Sequence, residues 1–122
     1  MTPAEARKAM RWCQKVLGLS HYAISLEFTD KEPDWSPRED GAIFLGRMSP
    51  DFQERTAKVW VGPAQCAEYD RDVLHTICHE MSHLALGVAG LMLNDSTAVE
   101  FMVDRNADAL AFAYTHGMKP WR

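Results

Sequence analysis

An α+β fold in the order α-β-β-β-α-α follows from three features of the chain. A capped segment with helical periodicity opens it, three strand-like runs occupy the middle, and two longer helix-periodic segments joined by a short link close it. The strands are expected to form a three-stranded mixed sheet between the N-terminal helix and the final helical pair.

The opening helix is announced by Thr2-Pro3-Ala4-Glu5, a capping box with proline at the first helical position. Ala6, Met10, Cys13, Val16 and Leu17 recur at helical spacing, and Gly18 is placed to end the helix. Ala23–Phe28 alternates, with Ile24, Leu26 and Phe28 on one face. Gly41–Met48 is mostly apolar, and Thr56–Val61 is β-branched and aromatic. The stretch DKEPDWSPRED that follows the first strand is too long and polar for a tight hairpin. Strands one and two are therefore not expected to be neighbours: Thr56–Val61 is the interior strand, beside Ala23–Phe28, and Gly41–Met48 is the edge.

The next helix is expected to start at an Asp70 cap and stop at Gly87, with Val73, Leu74, Ile77, Met81, Leu84 and Ala85 as its apolar stripe. The link VAGLMLN leads to Asp95-Ser96, a second capping signal, and a last helix from about Thr97 to Tyr114. Gly117 ends it, and the tail MKPWR is expected to be mobile.

A length of 122 residues suits one domain spanning 1–122. Net charge is −4 with no basic run, which argues against nucleic acid or an anionic membrane as partner. Cys13, Cys66 and Cys78 are an odd count without paired spacing, so a reducing, cytoplasmic setting is expected. No stretch has the length or apolarity of a membrane span or a signal peptide.

The chemistry concentrates in LHTICHEMSHLAL, residues 74–86, where His75, His79 and His83 fall on one helical stripe with Glu80 beside the middle one. His79 and His83 are four apart, so their side chains stand about 6 Å from each other along the axis on nearly one face. Two imidazoles so placed can clasp one zinc ion, and Glu80 between them can reach a water activated there. If the last two helices form an antiparallel hairpin, Glu100 is level with His83, Asp104 with His79 and Asp108 with His75. The three carboxylates, spaced i, i+4, i+8, then face the three histidines. Glu100 is the best third ligand, and Asp104 the best acceptor for the other ring N–H of His79. For His75 and Asp108 a structural pair is the favoured reading.

Blander assignments stand beside these. A closed structural zinc site would want a fourth Cys or His, and Cys78 points about 100° away around the helix, so it reads as a buried small hydrophobe. Trp35 and Trp60 read as core or loop anchors, and Met81, Met92 and Met102 as fillers of core gaps. Arg105 reads as a surface or ion-pair residue. His21, Tyr22, Tyr69, Tyr114 and His116 are candidates for a donor to the transition state, and no spacing rule chooses among them.

HEMSH, followed after sixteen intervening residues by EFMVD, resembles the gluzincin pattern of HExxH with a downstream ExxxD on a glutamate helix. The short element order resembles the minigluzincins, minimal single-domain members of that clan. VEFMVDRNADALAFA is also similar to the glutamate helix of ImmA/IrrE-type regulatory peptidases, and SprT-type peptidase domains share a related architecture. The resemblance implies a zinc metallopeptidase acting on peptide or protein substrates. His79, His83 and Glu100 would be zinc ligands, Glu80 the general base and acid, and Asp104 the residue that orients a ligand histidine. An extended substrate is expected along the Gly41–Met48 edge by β-augmentation. The alternative is a latent or regulatory zinc-binding module acting on one dedicated protein partner.

Overall fold

A computed structural model describes residues 1–36, 43–91 and 97–120. Helix α1 spans Pro3–Val16, and strands β1, β2 and β3 span Ala23–Phe28, Gly46–Asp51 and Thr56–Val61. Helices α2 (Pro63–Glu68), α3 (Val73–Val88) and α4 (Thr97–Thr115) complete the chain. The fold is the expected α+β arrangement, with the short α2 as an additional element.

The sheet order is β1-β3-β2, with β1 parallel and β2 antiparallel to β3. The third strand is therefore interior and the second lies at the edge, as the polar loop after β1 implied. Along β3 the alternation decides which face is covered by what. Ala57, Val59 and Val61 join the main core with Ala6, Ala9, Met10 and Cys13 of α1 and Ile77, Cys78, Met81 and Leu84 of α3. Trp60 projects to the other face and is still fully buried, its indole N–H donating to the Thr29 carbonyl at 2.8 Å. On that face Trp35 donates to Glu27 at 3.2 Å, so residues 29–36 fold under the sheet as a cover; residues 37–40 of the charged loop lie outside the described residues. Both tryptophans act as anchors.

Helix α1 begins as the capping box requires. Thr2 Oγ1 accepts from Glu5 N–H (3.1 Å) while Glu5 Oε1 accepts from Thr2 N–H (2.8 Å). Those bonds hold the Glu5 carboxyl below its usual pKa, the backbone N–H of Thr2 being the larger cause. Gly18, at φ +72°, takes the left-handed turn that ends the helix.

Several boundaries differ from the sequence reading, each for a local reason. Strand β2 starts at Gly46 rather than Gly41; residues 43–45 precede the sheet, and residues 41 and 42 lie outside the described residues. It continues past Met48 through Ser49, Pro50 and Asp51, because an edge strand tolerates a proline whose nitrogen faces away from the ladder. Helix α2 has Pro63 at its first position and no side-chain cap bond, so little in PAQCAE announces it. It displaces the start of α3: Asp70 adopts φ +53° in the connection, and Asp72 is the cap, accepting from Leu74 N–H at 3.0 Å.

At its other end α3 runs through a buried Gly87, and Gly90, at φ +73°, provides the left-handed turn instead. The Asp95-Ser96 capping signal and Met92 lie outside the described residues. Met81 is buried as expected, whereas Met102 is exposed on the outer face of α4 with Phe101 and Phe112. Arg105 stacks over the Phe101 ring at 5.0 Å. Of the tail expected to be mobile, residues 118–120 are described and start fixed at Met118, whose carbonyl accepts from Trp12 Nε1–H (2.8 Å) beside an edge-on Trp12–Tyr114 contact; residues 121 and 122 lie outside the described residues. No helix among the described residues is long and apolar enough to cross a membrane.

Candidate metal centre

Helices α3 and α4 meet through a ladder of histidines and carboxylates. His83 Nε2 lies 3.0 Å from Glu100 Oε1, and His79 Nε2 lies 3.2 Å from Glu100 Oε2. His79 Nδ1 lies 2.7 Å from Asp104 Oδ1, and His75 Nε2 lies 2.9 Å from Asp108 Oδ1. The three levels are those that the antiparallel hairpin requires.

Donor atoms of His79, His83 and Glu100 lie within 4.8 Å of one another, so the three residues could hold a metal ion. The separations fit: ligands 2.0–2.1 Å from a tetrahedral zinc would stand about 3.3 Å apart. The Glu100–histidine distances of 3.0 and 3.2 Å are close to that edge length. Hydrogen bonding points the same way. With Nδ1–H of His79 donating to Asp104, the lone pair of Nε2 faces a Glu100 oxygen. Two lone pairs at that distance need positive charge, supplied either by a proton or by a cation between them.

Glu80 is buried beside the two histidines, and its position depends on Gly46. A Cβ on Gly46 would lie 2.9 Å from Thr76 Cγ2, 3.0 Å from the Trp60 carbonyl oxygen and 3.2 Å from Glu80 Cγ. The missing side chain lets strand β2 lie directly against the turn of α3 that carries the glutamate. Ser82, the last residue between the two histidines, is also buried; it donates to the Cys78 carbonyl (2.7 Å) and accepts from Asn106 Nδ2 (2.8 Å).

The cluster opens into a cleft of about 560 Å³. One wall carries His79, Glu80, His83 and Glu100, and the other is β2 with Phe44, two residues before it. From the strand, Gly46, Arg47, Met48 and Pro50 line the cleft, and the Arg47 guanidinium stacks over the Phe44 ring at 4.1 Å. None of His21, Tyr22, Tyr69, Tyr114 or His116 is among the described residues of this lining. Tyr22 is buried against His21, Tyr114 packs on Trp12, and His116 stacks on Phe112. Phe44, Gly46, Arg47 and Met48 belong to the edge expected to carry substrate, whereas Pro50 is the cleft residue that reading the sequence missed.

The cysteines belong to the core. Cys13 and Cys78 place their sulfurs 3.7 Å apart, and Cys66 sits 3.6 Å from Thr76 Oγ1. The contact with Cys13, then burial, pushes the Cys78 thiol well above its ordinary range; burial also raises the Cys66 thiol. All three are free thiols. Cys78 takes no part in the cluster, in keeping with its position around the helix. No known protein family, curated protein or solved structure matches the chain.

Proposed function

We propose that the chain is a zinc-dependent peptidase of the gluzincin type, with His79, His83 and Glu100 as metal ligands. The observation that carries this reading is the convergence of those three residues beside a buried Glu80, in a cleft bounded by a sheet edge. A donor set of two imidazoles and one carboxylate suits a catalytic zinc, because it leaves a fourth position open. Bound there, the ion supplies Lewis acidity that polarises a scissile carbonyl and acidifies a water.

The protein's own residues divide the remaining work. Asp104 fixes the His79 tautomer by accepting from Nδ1–H, which directs Nε2 toward the metal. Glu80 takes a proton from the attacking water and passes it to the leaving amine. Gly46 and Met48 offer backbone N–H and C=O groups to an extended peptide at the β2 edge. Three buried thiols suit a cytoplasmic protein.

Two measurements test the reading. Glu100→Ala should lose stoichiometric zinc on purification, and zinc retained at wild-type affinity would dismiss the ligand set. Glu80→Gln should keep its zinc while turnover of an unfolded substrate such as casein falls ~10²-fold or more, the scale of a lost general base. Zinc bound by a wild-type chain that cleaves nothing would favour the regulatory module instead.

A further inference from the structure

The open edge of β2 can be read residue by residue as a hydrogen-bonding frame. Gly62 N–H donates to the Leu45 carbonyl at 2.9 Å, and these two residues are opposite each other in the register that pairs Gly46 with Val61. Bonded and non-bonded pairs alternate along an antiparallel ladder. Arg47, Ser49 and Asp51 therefore direct their backbone groups at β3. Gly46, Met48 and Pro50 direct theirs outward, where no described strand lies, and all three line the cleft with the metal cluster. Proline has no N–H. The outward frame is thus one donor and one acceptor at Gly46, the same at Met48, and an acceptor alone at Pro50.

We infer that Pro50 terminates the substrate ladder. A peptide on this edge makes two full backbone pairs, at Gly46 and Met48, and a third is refused. A peptide carbonyl brought opposite Pro50 meets the ring Cδ in place of a donor, so chain beyond that point leaves the sheet. Gly46, the first residue of β2, lies against Glu80, so the frame that the strand itself offers starts level with the glutamate and runs from there toward Pro50. The residues recognised through their backbone are therefore few: two bonded positions with one between them. The preferred occupant is a short extended segment rather than a long strand. This inference takes the occupant from the peptidase reading, but the frame itself does not depend on turnover.

The test uses zinc-loaded Glu80→Gln protein, so that no peptide is cut, with and without Pro50→Ala. Blocked alanine–threonine peptides of three to eight residues are titrated while backbone amide resonances are followed. With Pro50 present, the amides of Gly46 and Met48 should shift, those of Arg47 and Ser49 should not, and affinity should stop rising once the peptide passes Met48. With Pro50→Ala the longer peptides should gain roughly two- to tenfold, the worth of one added backbone hydrogen bond. Pro50→Val should repeat the gain if the missing donor is the cause.

The same length profile in both proteins overturns the inference, as does a Pro50→Ala protein whose only new property is self-association through the exposed edge. No binding to either protein overturns it too, while casein turnover by the wild-type chain would leave the peptidase reading standing. Peptides that bind as described but are never cleaved by the wild-type chain would reverse that outcome.

Discussion

Asp104→Ala deletes the 2.7 Å partner of His79 Nδ1 and removes no ligand atom from the metal cluster. An acceptor of this kind typically contributes ~10–100-fold in metal affinity, equivalent to about 1.4–2.7 kcal/mol. The Asp104 side chain is 54% exposed, so water can replace much of the lost bond. The lower end of the range, near tenfold, is therefore expected. Asp108→Ala provides the comparison: it removes a similar bond at 2.9 Å, but from His75, which lies outside the candidate ligand group. Its effect on zinc should be a few-fold at most. Competition against a chromogenic chelator gives both dissociation constants, and thermal unfolding checks that each variant is folded. If Asp108→Ala costs more zinc affinity than Asp104→Ala, the assignment of Asp104 as the residue orienting a ligand histidine is wrong.

Two further outcomes follow from packing and from the thiols. Gly46→Ala forces a methyl group against the Trp60 carbonyl, which is fixed in the sheet, so stability should fall by about 1–3 kcal/mol. Catalysis should suffer more than zinc affinity, because Glu80 is the cluster neighbour displaced; a fully active, equally stable variant would show that strand and helix are not in close contact. Cys66 and Cys78 stay protonated in the fold to higher pH than in the unfolded chain. Above the ordinary thiol range, roughly pH 8.5, the unfolded state therefore binds fewer protons and stability should decline as pH rises. Urea melts at pH 7 and pH 10 should reveal that loss, and the double Cys66→Ala, Cys78→Ala variant should lose less across the same interval; equal losses would clear the thiols.

The parts legible in the sequence were those written in local chemistry. The Thr2–Glu5 capping box, the four-residue spacing of His79 and His83, and the matching stripe of Glu100, Asp104 and Asp108 each need only the geometry of a helix. The interior place of β3 followed from a loop unfit for a hairpin. What stayed hidden depends on partners distant in sequence. Pro50 looks like a strand breaker until it is known which way its nitrogen faces. Gly46 has no visible purpose until α3 comes against it, and Arg47 and Phe44 reach the cleft only through the fold. Helix α2, six residues capped by a glycine without a side-chain bond, is too short for periodicity to register.

The Ser82–Asn106 hydrogen bond has a consequence for how α3 and α4 find their alignment. A ladder with a four-residue repeat on both helices is nearly degenerate, like two combs with equal teeth. Sliding α4 by one turn would set Asp104 against His83 and Asp108 against His79, keeping two of the three histidine–carboxylate levels. The apolar stripe of Val99, Val103, Ala107 and Leu110 discriminates little, since it repeats at almost the same interval. Asn106 and Ser82 occur once each. In the slipped alignment Leu110 would stand opposite Ser82 and the Asn106–Ser82 bond would be lost. Ser82 would keep its bond to the Cys78 carbonyl and the exposed Asn106 amide would turn to water, so the cost is that of one hydrogen bond, about 0.5–1.5 kcal/mol. A single off-repeat polar contact thus acts as a vernier on the helix pair, biasing it toward the alignment in which Glu100, rather than Asp104, faces His83.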